Sequence, residues 1–235
     1  MDTNTRRALK KDSLATAAAT SAHWMSDHRS SLFRTLMVSG VVLILLVGVV
    51  VLCNVQSAAA DSALNAALDT YSAPLAAPGA PLQSGEYATA ADRVKKANEQ
   101  FAAAASKYGW LPQGSKAHYF VGVTDADMGQ AGAAETELKI AAGSWNHNLA
   151  NLARLALANL YHQSSRDSEA IEEYNQIIAK PSRTVPASLA QLNLADLYAA
   201  TGKNDQARAL WAKIKDSDKE GAAGSMAAQK LTAGR

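Results

Sequence analysis

From Thr35 to Val55 the chain reads TLMVSGVVLILLVGVVVLCNV, apolar on all sides of a helix and without a charged residue. At about 1.5 Å per residue, a helix of this length crosses the roughly 30 Å hydrocarbon core of a bilayer. Val and Ile abound, but a lone strand would leave its backbone polar groups unpaired in lipid. The pattern therefore predicts a transmembrane helix over 35–55, preceded by a basic tail over 1–34. Small and apolar residues at helical spacing continue the helix over 56–72, next to the membrane. Pro74, Pro78, Gly79 and Pro81 then break the pattern, which predicts a linker over 73–86. From 87 to 235 the helical pattern resumes.

Within that last stretch the chain resembles itself. Gly122, Ala158 and Ala195 hold one place, and Ala134, Ala170 and Ala207 follow each of them twelve residues later. Four residues further on come Leu138, Tyr174 and Trp211, and three beyond those Ala141, Ile177 and Ile214. Tyr161 and Tyr198 stand three after the small residue of the first helix, where the first repeat has Asp125. Each unit reads as helix, short polar turn, helix, with a period of 36 and then 37 residues. The small pair lets two helices of a hairpin approach closely, and the bulky residue fills space against the next hairpin. Gly129, Ser164-Ser165 and Gly202 suit the turns. Asp167 or Ser168, and Asp205, are expected to cap the second helices. Ala97, Phe101 and Ala104 repeat the second-helix pattern and predict a preceding half-repeat; Ala222 to Leu231 is expected to close the array as a capping helix.

Composition fits this picture. The chain is rich in Ala and poor in aromatics, at 6%, which favours closely packed helices over a large aromatic core. Charge adds an orientation. Residues 1–34 carry six Lys/Arg against three Asp, whereas 56–235 carry 17 basic against 18 acidic residues. No Lys or Arg occurs between Gln56 and Asp92, so the positive-inside rule predicts a cytoplasmic N-terminus and an exported C-terminal part. Ala58-Ala59-Ala60 offers a site for signal cleavage, but the long n-region and long apolar run favour a retained anchor. Leu52 before Cys53 argues against lipidation. Cys53 is the single cysteine, which leaves no internal disulfide and no thiol-redox pair. Gly40 and Gly48 do not form GxxxG. The tail around Arg6, Arg7, Lys10 and Lys11, with Trp24 and Phe33, either lies on the membrane surface or is a solvated topology signal.

The patterns Leu157-Ala158-x-x-Tyr161…Ala170…Tyr174 and Leu194-Ala195-x-x-Tyr198-x-x-x-Gly202…Ala207…Trp211 resemble tetratricopeptide (TPR) motifs. The implied fold class is all-α: one transmembrane helix followed by a TPR-like right-handed α-solenoid of about three and a half hairpins. Together with the tail pattern Arg6-Arg7-x-Leu9-Lys10, Trp24 and His28-Arg29, the chain resembles the bacterial family of the ancillary SecYEG translocon subunit, whose repeat domain is related to that of a periplasmic cell-division coordinator. The resemblance implies a single-pass inner-membrane protein with a periplasmic repeat domain. Its implied partners are translocon subunits, exported proteins or periplasmic chaperones. A self-associating scaffold of an envelope or cell-division complex is the alternative.

No pattern points to chemistry. His23, His28, His118, His147 and His162 show no metal-ligand spacing. Gly129-Gln130-Ala131-Gly132 lacks the preceding strand and the Lys-Ser/Thr of a phosphate loop, and Glu172-Glu173 reads as a solvated helix face. No catalytic, metal or cofactor residue is predicted, and a near-neutral exported part without a basic stripe argues against nucleic acid. The expected functional surface is the concave groove of the first helices. Its candidates, by register, are Tyr119, Val123, Leu155, Asn159, His162, Leu192 and Asp196. Val123 and Asp196 stand where a carboxylate clamp would need polar or basic residues, so no clamp is expected.

Overall fold

The computed structural model describes residues 29–77 and 81–233; the tail features at Arg6 to Lys11, Trp24 and His28 lie outside them. Two units are separable, Met1–Val55 and Gln56–Arg235.

In the first unit the described residues belong to helix α1, Arg29–Tyr71, which runs on into the second. Its stretch from Phe33 is long and apolar enough to cross a membrane, with a mean hydropathy of 3.1 in its most apolar window and nothing packed over that window. Leu36, Leu43, Ile44 and Leu46 all stand more than half exposed. Its apolar side chains lie on every face of the helix, as the sequence pattern predicts.

The second unit is a stack of helical hairpins. Its helices are the end of α1, then α2 (Ala90–Tyr108), α3 (Pro112–Asp127), α4 (Ala131–Ala142), α5 (His147–Gln163), α6 (Asp167–Ala179), α7 (Ala187–Ala200), α8 (Asn204–Ser217) and α9 (Ala222–Ala233). From α2 onward each packs chiefly on its neighbours in sequence. Three contiguous clusters form the core. The central one joins Ala134, Leu138, Leu157, Ala158, Tyr161, Ala170, Tyr174 and Ile177; the C-terminal one joins Leu192, Ala195, Ala207, Trp211, Ile214 and Ala227. The packing signature read from the sequence is buried at Gly122, Ala134, Leu138, Ala158, Tyr161, Ala170, Tyr174, Ala195, Ala207 and Trp211, and half-buried at Tyr198.

The N-terminal cluster shows what the linear pattern hid. Ala60, Leu64 and Ala67 of α1 are buried with Ala97, Phe101, Ala104 and Tyr108 of α2 and Ala117 and Val121 of α3. The Tyr71 ring meets Phe101 edge-on at 6.4 Å, and its hydroxyl donates to Asp127 at 2.9 Å. Residues 56–71 are thus the first helix of a complete hairpin, and α2 is its second helix rather than a lone half-repeat. The Pro-broken stretch connects the two helices of that hairpin. It is held at both ends, where Tyr87 N–H donates to Pro74 O and Ala76 N–H donates to Tyr87 O; Arg93 Nη1 also donates to Ala73 O at 2.9 Å.

The turns inside the following hairpins share one device. Gly129, Ser165 and Gly202 adopt φ of 75°, 58° and 77°. In each case the next amide donates back five residues, Gln130 to Asp125 O, Arg166 to Tyr161 O and Lys203 to Tyr198 O. The left-handed residue ends the first helix and satisfies its last carbonyls. The expected caps of the second helices differ. α6 and α8 begin after Arg166 and Lys203, neither of which makes a side-chain cap bond, and Asp167, Ser168 and Asp205 lie inside the first turn. There the two carboxylates act on the helix dipole instead. Side-chain caps do occur at Thr89, which accepts from Asp92 N, and at Asn146, which accepts from Asn148 N and Leu149 N.

Two substitutions test these packing claims. A Cβ at Gly122 would lie 2.6 Å from Leu138 Cγ and 3.1 Å from Ala134 O; Leu138 is fully buried and cannot retreat. Gly122→Ala is therefore expected to lower stability by about 1–3 kcal/mol in urea unfolding. Ser165→Gly should raise it by about 1 kcal/mol, because an L side chain is disfavoured at that φ.

Candidate partner-binding face

The seven groove candidates lie on α3, α5 and α7, at spacings that put each set on one helix face. Tyr119, Val123 and Leu155 are half-buried and pack against the central core. Burial raises the Tyr119 phenol above its ordinary value. Asn159 is exposed, yet its Oδ1 accepts from the Tyr174 hydroxyl at 3.0 Å. His162 is exposed with Nδ1 2.6 Å from Asp167 Oδ1. Two candidates differ from expectation. Leu192 is only 3% exposed and belongs to the C-terminal core; no partner can reach it. Asp196 is paired with Lys230 of α9 at 2.9 Å, so the terminal helix covers the last repeat of this face. Register placed these residues correctly on the first helices, but not the helix that closes over them.

Polar residues that the sequence reading passed over build the joints between hairpins. Asn98 of α2 donates through Nδ2 to Thr124 Oγ1 at 2.9 Å and to Asp125 Oδ1 at 2.8 Å. Burial, ahead of the opposing Asn98 bond, raises the Asp125 carboxyl above its ordinary value. One repeat later the same two places hold Glu135 and Tyr161, and the Tyr161 hydroxyl donates to Glu135 Oε1 at 3.1 Å. Around that pair Arg166 binds Glu135 Oε2 at 2.6 Å, also binds Glu169, and covers the Tyr161 ring with its guanidinium 4.4 Å from the centroid. Lys139 adds a bond to Glu135 at 2.7 Å. These donors, Arg166 first and Lys139 next, hold the Glu135 carboxyl down at about 2. The signal was present in the register. Residue 98 follows Ala97 as 135 follows Ala134, so the departure of Asp125 from the aromatic pattern is matched by Asn98 in place of Glu.

None of these groupings is laid out for catalysis. The carboxylates are engaged by Asn, Tyr, Arg and Lys, and among the described residues no three His, Cys, Asp or Glu side chains gather as metal ligands.

The Glu135 joint has a pH signature. Its folded pKa lies below its ordinary 4.5, so its stabilising contribution is complete above 4.5 and is lost as pH falls toward 2. Glu135→Gln should cost about 1.5–3 kcal/mol at neutral pH, and the gap from the unaltered protein should close across that window in thermal unfolding.

Comparison with known proteins agrees on the architecture. No family model matches the chain, and no curated protein does. Among solved structures, the chain is similar to the nearly identical TPR-like repeats of a Podospora anserina protein assigned as a kinesin light chain. The identity is 17%, over 60% of this chain and 76% of that one, with a TM-score of 0.51. At that identity the likeness is one of fold, and it makes the repeat unit of this chain TPR-like.

Proposed function

We propose that this protein is a membrane-anchored scaffold for protein–protein interaction, held in a bacterial inner membrane by residues 35–55 with its repeat unit on the periplasmic side. The observation that carries the reading is the pairing of an uncovered apolar helix with a stack of hairpins whose central first helix, α5, leaves Asn159 and His162 open to solvent. A stack of this kind offers an extended face to a peptide or a partner helix. The charge asymmetry about the apolar helix supports the orientation. The resemblance in the tail and repeats supports association with the export machinery, where the scaffold would meet translocon subunits, exported proteins and periplasmic chaperones. Catalysis forms no part of this reading, and neither does a cofactor.

Two measurements test it. An alkaline phosphatase fused after Arg235 should be active, since the enzyme matures only outside the cytoplasm; a stable but inactive fusion overturns the orientation. Photocrosslinking from positions within 35–55, followed by mass spectrometry, should recover translocon subunits. Recovery of division proteins alone would instead support the envelope or division scaffold.

A further inference from the structure

The hairpins reverse direction twice per repeat, so the first helices α3, α5, α7 and α9 all start at the same edge of the unit as residue Gln56. A side-chain bond confirms the alignment: Gln113, in the first turn of α3, donates to Asp61, five residues beyond Gln56, at 3.1 Å. The connectors leading into α3 and α5 lie on this edge, and each carries an exposed tryptophan. Trp110 is 61% and Trp145 77% exposed. An indole left in water at a protein edge is unfavourable, whereas the headgroup layer of a bilayer suits both its apolar ring and its N–H.

Two residues after Trp145, His147 begins the lining of a cavity of about 250 Å³, completed by Asn151, Arg154, Gln176, Ala179 and Lys180. It is built rather than incidental. Asn151 is buried and donates to Lys180 O at 2.8 Å. Arg154 is positioned by Asn151 Oδ1 at 3.3 Å and by Gln176 Oε1 at 3.1 Å. Across the mouth, Asn148 Oδ1 accepts from Arg183 N and Thr184 Oγ1, each at 3.1 Å, which ties the 180–185 connector to the start of α5. Glu173 stands 3.9 Å from Arg154 Nε and balances part of its charge. Among the described residues no carboxylate forms an ion pair with Lys180 or with Arg183 in the same connector, and both are exposed. A small cavity that holds the Arg154 guanidinium and the Gln176 amide, with Lys180 at its rim and an exposed indole two residues before its first lining residue, matches a phosphodiester bearing a short polar headgroup.

We propose that this cavity receives the headgroup of an anionic phospholipid and that the nearby Trp145 enters the interfacial layer of the same bilayer. The proposal depends on the membrane-anchored reading above.

The full chain is reconstituted in nanodiscs of phosphatidylcholine with increasing phosphatidylglycerol, every disc carrying the same fraction of brominated phosphatidylcholine as quencher. Trp145→Phe should remove a quenchable component without altering thermal unfolding, since Trp145 makes little contact with the core. Lys180→Ala should raise the phosphatidylglycerol fraction needed for half-maximal quenching by about fivefold, the effect of one basic side chain at a charged surface. Unchanged quenching in Trp145→Phe overturns the proposal. So does equal quenching in discs of either lipid together with no effect of Lys180→Ala. Binding of inorganic phosphate to the detergent-solubilised chain that Lys180→Ala abolishes, with no dependence of quenching on phosphatidylglycerol, would also overturn it, since the cavity would then take the free anion alone. Failure of the anchor itself reads differently: the unaltered chain would be released from membranes by alkaline carbonate.

Discussion

The close approach of small residues within each hairpin is the constraint on which the rest of the repeat unit depends. Ala97, Ala134, Ala170 and Ala207 have no exposed surface, and at Gly122 there is no room even for a methyl group. Where backbones come this near, the space left between hairpins is wide enough for one large side chain, and Phe101, Leu138, Tyr174 and Trp211 occupy it in turn. Each buries a side chain worth about 1.5–3 kcal/mol in removal from water. The small pair sets the distance, and the large residue converts that distance into stability. A protein with few aromatics can therefore sustain four hairpins, because it needs one bulky residue per joint.

The same constraint decides where polar groups are tolerated. The place three residues after the small residue faces the preceding second helix, and it cannot be left polar without a partner. In one joint it holds Tyr161, which reaches Glu135 and sits under Arg166. In the previous joint a shorter Asp125 occurs, and the preceding helix supplies Asn98 rather than a second carboxylate. The two solutions differ in their response to acid. Glu135 is held ionised by its donors and stabilises above its ordinary pKa, whereas burial raises the Asp125 carboxyl above its ordinary value against the pull of the Asn98 bond.

Much of this was legible in the chain itself. The period of 36 and 37 residues located the turns at Gly129, Ser165 and Gly202, because a left-handed turn and a close helix contact each restrict residue type strongly. Membership of Ala60, Leu64 and Ala67 in the first hairpin was not legible. Their partners lie beyond a long Pro-containing connector, and a stretch such as SAAADSALNAALDTYS reads equally well as an isolated helix. The groove was legible only as a register. Leu192 and Asp196 share the spacing of Leu155 and Asn159, but α9 folds over the former pair, and nothing in their own repeat signals that cover.

That unequal cover bears on where a partner would find purchase. At the N-terminal end of the face Tyr119 and Val123 already lend much of their surface to the core, and at the C-terminal end Lys230 closes over Asp196. Asn159 and His162, on α5, stand between these ends with solvent-exposed side chains. Each is also held by one internal bond, to Tyr174 and to Asp167. Such bonds fix the rotamers before any partner arrives and so reduce the ordering cost of binding. A partner docking across α5 would meet two pre-positioned polar groups, flanked by half-buried apolar side chains. This is the arrangement from which an interaction face draws selectivity rather than bulk affinity, since the apolar area still open there is small.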